Sequence, residues 1–406
     1  MTTDGGIGIE TVVRSGSCCG CGLCASAVAP GKVTMRESAQ MQRRPQVAQA
    51  LDAGELARFR AVCPGVALVR EAAPEARMTT LWGPVIGCHT GHATDPEIRR
   101  QGSSGGVISA LAAFMLRTGR VEAVAQVAAC GQDPAANAVQ FSRGREDVLR
   151  AAGSRYAPAS ALERAGEMLD SGQTCAFVGK PCEVAALRAL ARVDPRVDRQ
   201  VPVMLSFMCA GTPSGQGTLA MLEAMGVRRE DLASLRYRGD GWPGQARAVA
   251  RDGTAREMDY HTSWGTILNR HLQFRCKVCP DGTGEFADIV CADAWYGKDG
   301  YPDFAERDGR SLVLVRTPRG ARLLAEAVAA GDVALADLDL AEVAAMQPYQ
   351  VERKRMALGR LAAARLATGH APQATSLSLW PAARQAAPVA FVRSAVGTYR
   401  RARGES

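Results

Sequence analysis

The stretch Ser17-Cys18-Cys19-Gly20-Cys21-Gly22-Leu23-Cys24 carries three cysteines separated by two residues each, at Cys18, Cys21 and Cys24. This spacing lets successive thiolates turn toward one compact inorganic core. Three such thiolates in a glycine-containing loop are typical of the start of a [4Fe–4S] site. The stretch therefore predicts a small, loop-rich iron–sulfur module near the start of the chain.

A cluster of this kind needs a fourth thiolate. In the bacterial ferredoxin motif the fourth cysteine follows after three more residues and precedes proline, but here that position is Val28. Cys63 is followed by Pro64, so we expect Cys63 to complete the site and Cys19 to be a bystander. A zinc site is the alternative, since Zn²⁺ also accepts four thiolates.

A second pair, Cys276 and Cys279, lies far along the chain. A pair alone is compatible with zinc, a cluster or a redox dithiol. Cys182 and Cys209 each follow a predicted strand, and sites in α/β sheets are assembled at the carboxyl ends of strands. We therefore predict a second [4Fe–4S] cluster on these four residues. The alternative is that each lone cysteine is a small buried hydrophobe.

The chain has 406 residues, 47% of them hydrophobic, which is enough for two or three domains with a substantial core. We divide it into an iron–sulfur module at 1–80, a core at 81–345 and an Ala/Arg-rich tail at 346–406. In the core, apolar runs alternate with helical periodicity, which is the pattern of an α/β domain. The expected fold is an α/β core with a small N-terminal ferredoxin-like iron–sulfur module.

The periodicity predicts strands at 121–129, 174–178, 201–208 and 312–315, and helices at 107–116, 159–169, 182–190, 215–224 and 319–328. In the tail, residues 389–401 have the pattern of a basic amphipathic helix that would suit a membrane or a partner. For this end of the chain we expect a solvated, poorly ordered terminus instead.

The formal net charge of +8 would suit an acidic partner such as a small ferredoxin. Aromatic residues make up only 5% of the chain and no basic run is interleaved with them, so nucleic-acid binding is not expected. There is no secretion leader and no apolar stretch of about 18 residues, so we expect no transmembrane segment. The expected location is the cytoplasm, where clustered cysteines bind metals more often than they form disulfides.

The loop Gln101-Gly102-Ser103-Ser104-Gly105-Gly106 directly precedes the helix predicted at 107–116. Glycines allow consecutive N–H groups to converge, and a helix N-terminus adds partial positive charge. The loop can therefore hold a phosphate or pyrophosphate, with Ser103 and Ser104 as further donors. No G-x-G-x-x-G fingerprint occurs between a strand and a helix, so a standard NAD site is not indicated.

The order of these motifs resembles that of the beta subunit family of the coenzyme F420-dependent hydrogenases and dehydrogenases, over residues 18–315. Segments 207–214 and 237–242 are similar to the branch of that family found in polysaccharide gene clusters. The motifs that carry the resemblance are the N-terminal cysteines, Gln101–Gly106, Gly153-Ser154-Arg155-Tyr156, Gly179-Lys180-Pro181-Cys182, the segment 207–214 with Cys209, and Cys276 with Cys279 followed by Ala287-Asp288-Ile289.

The resemblance implies an iron–sulfur flavoprotein with FAD in the α/β core. It also implies which residues contact the FAD, namely Gly102, Ser103, Ser104, Gly105, Gly106, Ser154, Arg155, Tyr156, Gly179, Lys180 and Pro181. One or two [4Fe–4S] clusters would then exchange electrons with the isoalloxazine ring and so with a small organic substrate, since clusters carry single electrons and flavin holds one or two.

The implied partner is a redox protein such as ferredoxin or another oxidoreductase subunit. Two alternatives remain: an electron-transfer subunit that serves a catalytic partner, and a zinc-stabilised binding protein without redox activity. The chain lacks a complete C-x2-C-x2-C-x3-C-P run, and nothing in it indicates deazaflavin binding. The substrate is therefore not assigned by the resemblance.

Overall fold

A large mixed sheet forms the centre of the computed structural model, which describes residues 6–298 and 301–404. In chain order the strands are β1 (Val33–Glu37), β2 (Arg43–Val47), β3 (Ala67–Val69), β4 (Arg77–Thr79), β5 (Gly83–Val85), β6 (Gly87–Ala93), β7 (Ala123–Ala129), β8 (Asn137–Ser142), β9 (Cys175–Gly179), β10 (Met204–Phe207), β11 (Leu232–Arg236), β12 (Ala246–Ala250), β13 (Ala255–Met258), β14 (Ile289–Asp293), β15 (Gly297–Lys298), β16 (Tyr301–Pro302), β17 (Ser311–Val315), β18 (Val333–Asp337) and β19 (Gln373–Thr375).

Eight of these strands form the large sheet, in the order β18-β6-β17-β14-β10-β9-β7-β8. The four strands β14, β10, β9 and β7 run parallel, and antiparallel strands flank them on both sides. Leu205 in β10 lies opposite Val178 in β9 and Ile289 in β14, and all three side chains are buried. Parallel strands are covered on both faces, which explains their nearly continuous apolar sequence. The expected α/β core is confirmed.

Helices cover both faces of the sheet. On one face, Leu111 and Leu323 from two helices pack on the strands; on the other, Leu187 does so together with residues of the N-terminal segment. In chain order the helices are α1 (Ile9–Arg14), α2 (Ala53–Val62), α3 (Pro96–Gln101), α4 (Val107–Arg117), α5 (Arg145–Arg150), α6 (Ala165–Asp170), α7 (Pro181–Ala191), α8 (Arg196–Gln200), α9 (Gly215–Ala224), α10 (Phe274–Lys277), α11 (Pro318–Ala329), α12 (Val343–Met346), α13 (Pro348–Thr368), α14 (Leu379–Ala383) and α15 (Pro388–Arg403).

The N-terminal segment shares its hydrophobic core with the large sheet. Ile9, Val12 and Leu23 belong to the same buried cluster as Leu187 and Met204. The segment contains α1, α2 and the antiparallel pair β1–β2, joined by a π-helical turn at Cys24–Val28. Its ferredoxin-like character and the division of the chain near residue 80 stay predictions.

The predicted strands and helices of the core are all present, with one substantial difference. The helix expected at 159–169 begins only at Ala165. The preceding backbone is used for contacts with the N-terminal segment, because the Leu162 N–H donates to the Cys21 carbonyl at 2.8 Å and the Ser26 hydroxyl donates to the Leu162 carbonyl at 2.6 Å. Tertiary contacts thus replace the first helical turns.

The expectation of a poorly ordered terminus is wrong. Helix α13 is largely buried, and α15 packs along it, with the Arg360 guanidinium donating to the Ser394 hydroxyl at 2.8 Å. The close approach of the two helices depends on Gly359, against which the Phe391 ring packs, and a single glycine gives no sequence signal of such a contact. Within the described residues, no helix has the length and apolar character needed to cross a lipid bilayer.

Candidate functional site

The N-terminal cysteines and Cys63 lie around one small cavity. The cavity measures about 30 Å³, and its wall includes Cys18, Cys21, Cys24 and Cys63 as well as Cys19. A space of this size exceeds that of a single water molecule. The structure therefore brings Cys63 to the three cysteines with which sequence reasoning grouped it.

Helix α2 delivers Cys63 to this cavity. The helix begins with a capping box, in which the Asp52 carboxylate accepts from the Glu55 N–H at 2.9 Å and the Glu55 carboxylate accepts from the Asp52 N–H at 2.8 Å. Cys63 ends the helix in an extended conformation. Such a box satisfies two free N–H groups and fixes where a helix starts, so the position of Cys63 follows from a well-defined helix.

Glycine is required in the cysteine loop. Gly20 and Gly22 have φ angles of 76° and 89°, in the left-handed region. A Cβ atom at Gly22 would lie 2.8 Å from the backbone nitrogen of Glu163, closer than real contacts allow. The loop can therefore curl around the cavity only because these positions lack side chains.

The thiols at the first cavity are surrounded by apolar side chains, including those of Val12 and Phe59. Burial raises the pKa of Cys24 to about 12 and that of Cys18 to about 11. Without a compensating positive charge these sulfur atoms are neutral thiols at pH 7.

Three cysteines of the predicted second site also lie together. Burial, followed by the nearby thiol of Cys276, raises the pKa of Cys209 to about 12, with Cys279 contributing in the same direction. The backbone N–H of Thr212 donates to the Cys276 sulfur at 3.3 Å, and the Cys209 N–H donates to the Gly282 carbonyl at 2.8 Å. The loop after β10 is thus tied directly to the loop that carries the C-x2-C pair.

Cys182 lies at the boundary between the two groups. It is at the first turn of α7, and its side chain shares a hydrogen bond with that of Cys19. This contact and burial both raise the pKa of Cys182. Cys19 thus lies between the first cavity and Cys182, and its role as a bystander that binds no iron stays a prediction.

Helix α13 places the guanidinium of Arg353 next to the second cysteine group. The Arg353 guanidinium, only 5% exposed, donates to the carbonyl oxygens of Cys209 at 2.9 Å and Ala210 at 2.6 Å. The Gln350 amide also donates to the Cys209 carbonyl, at 3.2 Å. Sequence reasoning missed both side chains, because no motif marks a helix so distant in sequence from the cysteines.

A much larger cavity, of about 360 Å³, opens at the carboxyl ends of the parallel strands. Gly179, Phe207 and Asp293, which end β9, β10 and β14, all line it. Strand ends of a parallel sheet are the usual place for a ligand in α/β folds. Cys209 lies in the wall of this cavity too, so the cavity and the second cysteine group are adjacent.

Most of the residues predicted to contact a flavin line the large cavity. They are Gly102, Ser103, Ser104, Gly106, Ser154, Arg155, Tyr156, Gly179 and Lys180. The Ser154 hydroxyl donates to the Ser103 hydroxyl at 2.8 Å, which joins two of the sequence motifs.

Gly105 and Pro181 do not line the cavity. The Gly105 N–H donates to the Ser311 hydroxyl at 2.9 Å, and a Cβ atom at Gly105 would lie 2.5 Å from the Gly91 carbonyl oxygen. Gly105 therefore holds the loop against the sheet. Pro181 occupies the first turn of α7, where its missing N–H costs nothing.

The N-terminus of α4 faces the large cavity. Gly106 precedes the helix with a φ of 76° and no side chain caps the first turn. Val107, Ile108 and Ser109 of that turn line the cavity. The first N–H groups of a helix have no partner inside the helix, so this end favours an anion.

The opposite wall is aromatic and contains a buried ion pair. The Arg238 guanidinium donates to both carboxylate oxygens of Asp293, at 2.8 and 2.6 Å. It also lies over the rings of Tyr260 and Trp295, 4.4 and 5.1 Å from their centroids. Trp264 adds a further ring to the lining. Sequence reasoning missed this wall; its one signal was Arg238 within the segment 237–242.

Among the residues that the structure describes, no group of three or more His, Cys, Asp or Glu side chains is arranged to hold a single metal ion.

Most of the α/β core is similar to known proteins. The family profile "Coenzyme F420 hydrogenase/dehydrogenase, beta subunit N-term" matches residues 88–165, and the corresponding C-terminal profile matches residues 172–340. A coenzyme F420 hydrogenase subunit beta from Methanococcus voltae is 27% identical over 254 residues, or 61% of this chain and 82% of that protein.

Other relatives are subunits or enzymes of redox systems. A coenzyme F420-dependent sulfite reductase from Methanocaldococcus jannaschii is 26% identical over 236 residues, which cover 54% of this chain but only 34% of that protein. A chain of the F420-reducing [NiFe] hydrogenase complex from Methanosarcina barkeri shares the fold, with a TM-score of 0.54, 21% identity, and coverage of 69% of this chain and 93% of that one. The two family profiles together span most of the α/β core, and the chain belongs to the coenzyme F420 hydrogenase/dehydrogenase beta subunit family.

Proposed function

We propose that the protein is an iron–sulfur flavoprotein that passes electrons between two [4Fe–4S] clusters and FAD, and from there to or from an organic substrate. The first cluster would be held by Cys18, Cys21, Cys24 and Cys63. The second would be held by Cys209, Cys276 and Cys279, with Cys182 as the fourth ligand. The single observation that carries the proposal is the position of Cys209, which belongs to both the second cysteine group and the wall of the large cavity.

The chemistry of the cysteine groups supports clusters. In a [4Fe–4S] site each thiolate binds a different iron, so the four sulfur atoms surround a cluster and do not converge on one ion. The four proposed ligands of the first cluster lie around one cavity, as this requires. The raised pKa values of Cys18, Cys24 and Cys209 mean that only a strong local positive charge would keep these residues as thiolates, and bound iron supplies such a charge.

The large cavity supports a dinucleotide such as FAD. Its volume of about 360 Å³ falls within the range of roughly 300 to 1,000 Å³ typical of cofactor sites. The first turn of α4 and the loop at 102–106 offer N–H groups for a pyrophosphate. Lys180 also lines the cavity, where it is paired with the Glu183 carboxylate. Tyr260, Trp264 and Trp295 offer flat apolar surfaces for a ring system.

Residues of the chain would orient and shield the bound groups. Arg238 and Asp293 neutralise one another beneath the aromatic wall, so that wall keeps a fixed geometry without a net charge. When bound, FAD supplies the ability to accept or give one or two electrons, which iron–sulfur clusters lack. Arg353 donates a hydrogen bond to the Cys209 carbonyl, which fixes the loop between the two proposed sites.

The relatives favour a second form of the proposal. They are named as subunits of F420-dependent hydrogenase and formate dehydrogenase, and as an F420-dependent sulfite reductase. The protein would then relay electrons to a catalytic partner instead of acting alone on a substrate. Turnover of an organic acceptor by the purified chain with reduced ferredoxin or dithionite supports the first form; reduction of the cofactors without turnover until a partner is added supports the second.

Anaerobic purification with quantitation of iron, sulfide, zinc and flavin tests the proposal. We expect two clusters' worth of iron and sulfide, one FAD per chain, and a visible spectrum that bleaches on reduction. A colourless protein with stoichiometric zinc contradicts it and establishes the zinc alternative.

A further inference from the structure

Arg275 is a buried cation whose hydrogen-bonding capacity is mostly unused. Its side chain is 2% exposed, and Nη2 donates to the Pro64 carbonyl at 3.2 Å. Within the described residues, its Nε and Nη1 groups have no hydrogen-bond partner. A buried guanidinium with free donors is costly, so a site that retains one indicates acceptors that the polypeptide does not provide.

The position of Arg275 links the two cysteine groups. It directly precedes Cys276 of the second group, and its one bond reaches Pro64, which directly follows Cys63 of the first. A single guanidinium therefore joins the two segments that would carry ligands of different clusters.

Cysteines of both groups lie near Arg275. Those of the second group are Cys276 and Cys279, whereas Cys19 lines the first cavity and Cys182 lies beside Cys19. Arg275 is therefore placed between the two groups.

Two other buried arginines make the contrast clear. Arg353 donates to the carbonyls of Cys209 and Ala210, so its bonds serve the second group alone. Arg316 donates to the carbonyls of Trp82, Pro84 and Thr283, none of them next to a cysteine. Arg275 alone of these three arginines connects the two groups.

We propose that Arg275 is a positioning residue shared by both proposed clusters, with its free Nε–H and Nη1–H groups serving cluster sulfur and its fixed charge raising the reduction potential of each. Hydrogen bonds to sulfur and local net charge are established determinants of cluster potential. Reduction adds one negative charge to a cluster, and a guanidinium that stays protonated stabilises that charge without exchanging a proton. One residue would therefore raise both potentials. The inference rests on the proposed function.

The test is a redox titration of the anaerobically purified full-length holoprotein, monitored by electron paramagnetic resonance, for wild type, R275Q, R275K, R353K and R316K. The wild-type iron and sulfide content is measured first; absence of two clusters there refutes the proposed function itself. We expect both potentials to shift to more negative values in R275Q, and by a smaller amount in R275K. R353K should shift one potential, and R316K neither.

Unchanged potentials in R275Q, or a shift of only one, overturn the inference. If R275Q does not retain its iron, the same criterion applies to R275K, which keeps the charge and loses only the forked donor geometry. A shift of both potentials in R316K of the same size as in R275K also overturns it, because the effect would then follow from any buried arginine.

Discussion

The two cysteine groups are built in opposite ways. In the first, three of the four proposed ligands lie within seven residues of sequence, and only Cys63 arrives from another element. In the second, Cys209 comes from the loop after β10 and Cys276 and Cys279 from a distant segment, and the two segments are tied together by backbone hydrogen bonds and by Arg353 of α13. The first group is a property of a short segment, whereas the second is a property of the whole fold.

This difference predicts how independently the two groups lose iron. C21S and C279S should each remove about one cluster's worth of iron and sulfide and leave the other cluster in place. The reason is that no thiol is assigned to both groups, which approach each other where Cys19 contacts Cys182. Iron and sulfide analysis with visible spectroscopy measures this. C291S, at a buried cysteine in β14, is the control and should keep all its iron. Full iron content in C279S would refute the second site.

The contact between Cys19 and Cys182 allows a sharper test, namely which of these two cysteines is a cluster ligand. If Cys182 is the fourth ligand of the second group, C182S loses up to one cluster's worth of iron, whereas C19S keeps both clusters. Iron analysis and the paramagnetic signals of the reduced protein distinguish the two variants. Loss of iron in C19S with retention in C182S would reverse the roles of these two residues.

Backbone geometry predicts a smaller effect that is confined to the first group. G22A should destabilise the fold by about 1–3 kcal/mol, because it combines a left-handed φ with a steric clash against Glu163. Thermal or denaturant unfolding measures the loss. G31A is the matched control: its φ is 80°, but nothing lies within 4 Å of the added Cβ, so it should cost only about 1 kcal/mol. Equal losses would show that the loop does not depend on the Glu163 contact.

The smallest expected effect concerns the attachment of α2, the helix that carries Cys63, to the rest of the fold. The Asp194 carboxylate accepts from Arg196 and from Arg58 of α2, at 2.8 and 2.9 Å. The hydrogen bond from Arg196 is the largest cause that lowers the pKa of Asp194 from 3.8 to about 2. A depressed pKa contributes stability above the unfolded value and loses it as pH falls through the folded value.

D194N should therefore be less stable than wild type at pH 7, by at most about 1 kcal/mol because the arginines are partly exposed. The difference should decrease as the pH falls through the folded pKa of about 2. Denaturant unfolding from pH 5 downward measures it. A difference as large at pH 2 as at pH 7 would contradict the ionic origin of the effect.

The same contrast explains what the sequence could predict. Cys18, Cys21 and Cys24 were found from spacing alone, and Cys209 from its place after a predicted strand. Helices α4 and α7 and strands β7 and β9 followed from periodicity.

The remaining parts of the site depend on contacts between distant segments. Arg353 donates to the Cys209 carbonyl only once α13 packs against that loop, and no local sequence pattern specifies this contact. In the same way, the first turns of the helix expected at 159–169 do not form, because the Leu162 N–H donates to the Cys21 carbonyl. The aromatic wall likewise takes its rings from two distant segments, Tyr260 and Trp264 from one and Trp295 from the other.

The burial of α13 behind Cys209 fixes an order for biogenesis. Every cysteine of the N-terminal cavity has been synthesised before the sheet is half complete, whereas the carbonyl of Cys209 gains its guanidinium partner only when Arg353 has left the ribosome. A chain that stops short of Pro348 would contain all thirteen cysteines and still lack the support of its second group. This half of the molecule therefore gains its support from Arg353 only late in the synthesis of the chain.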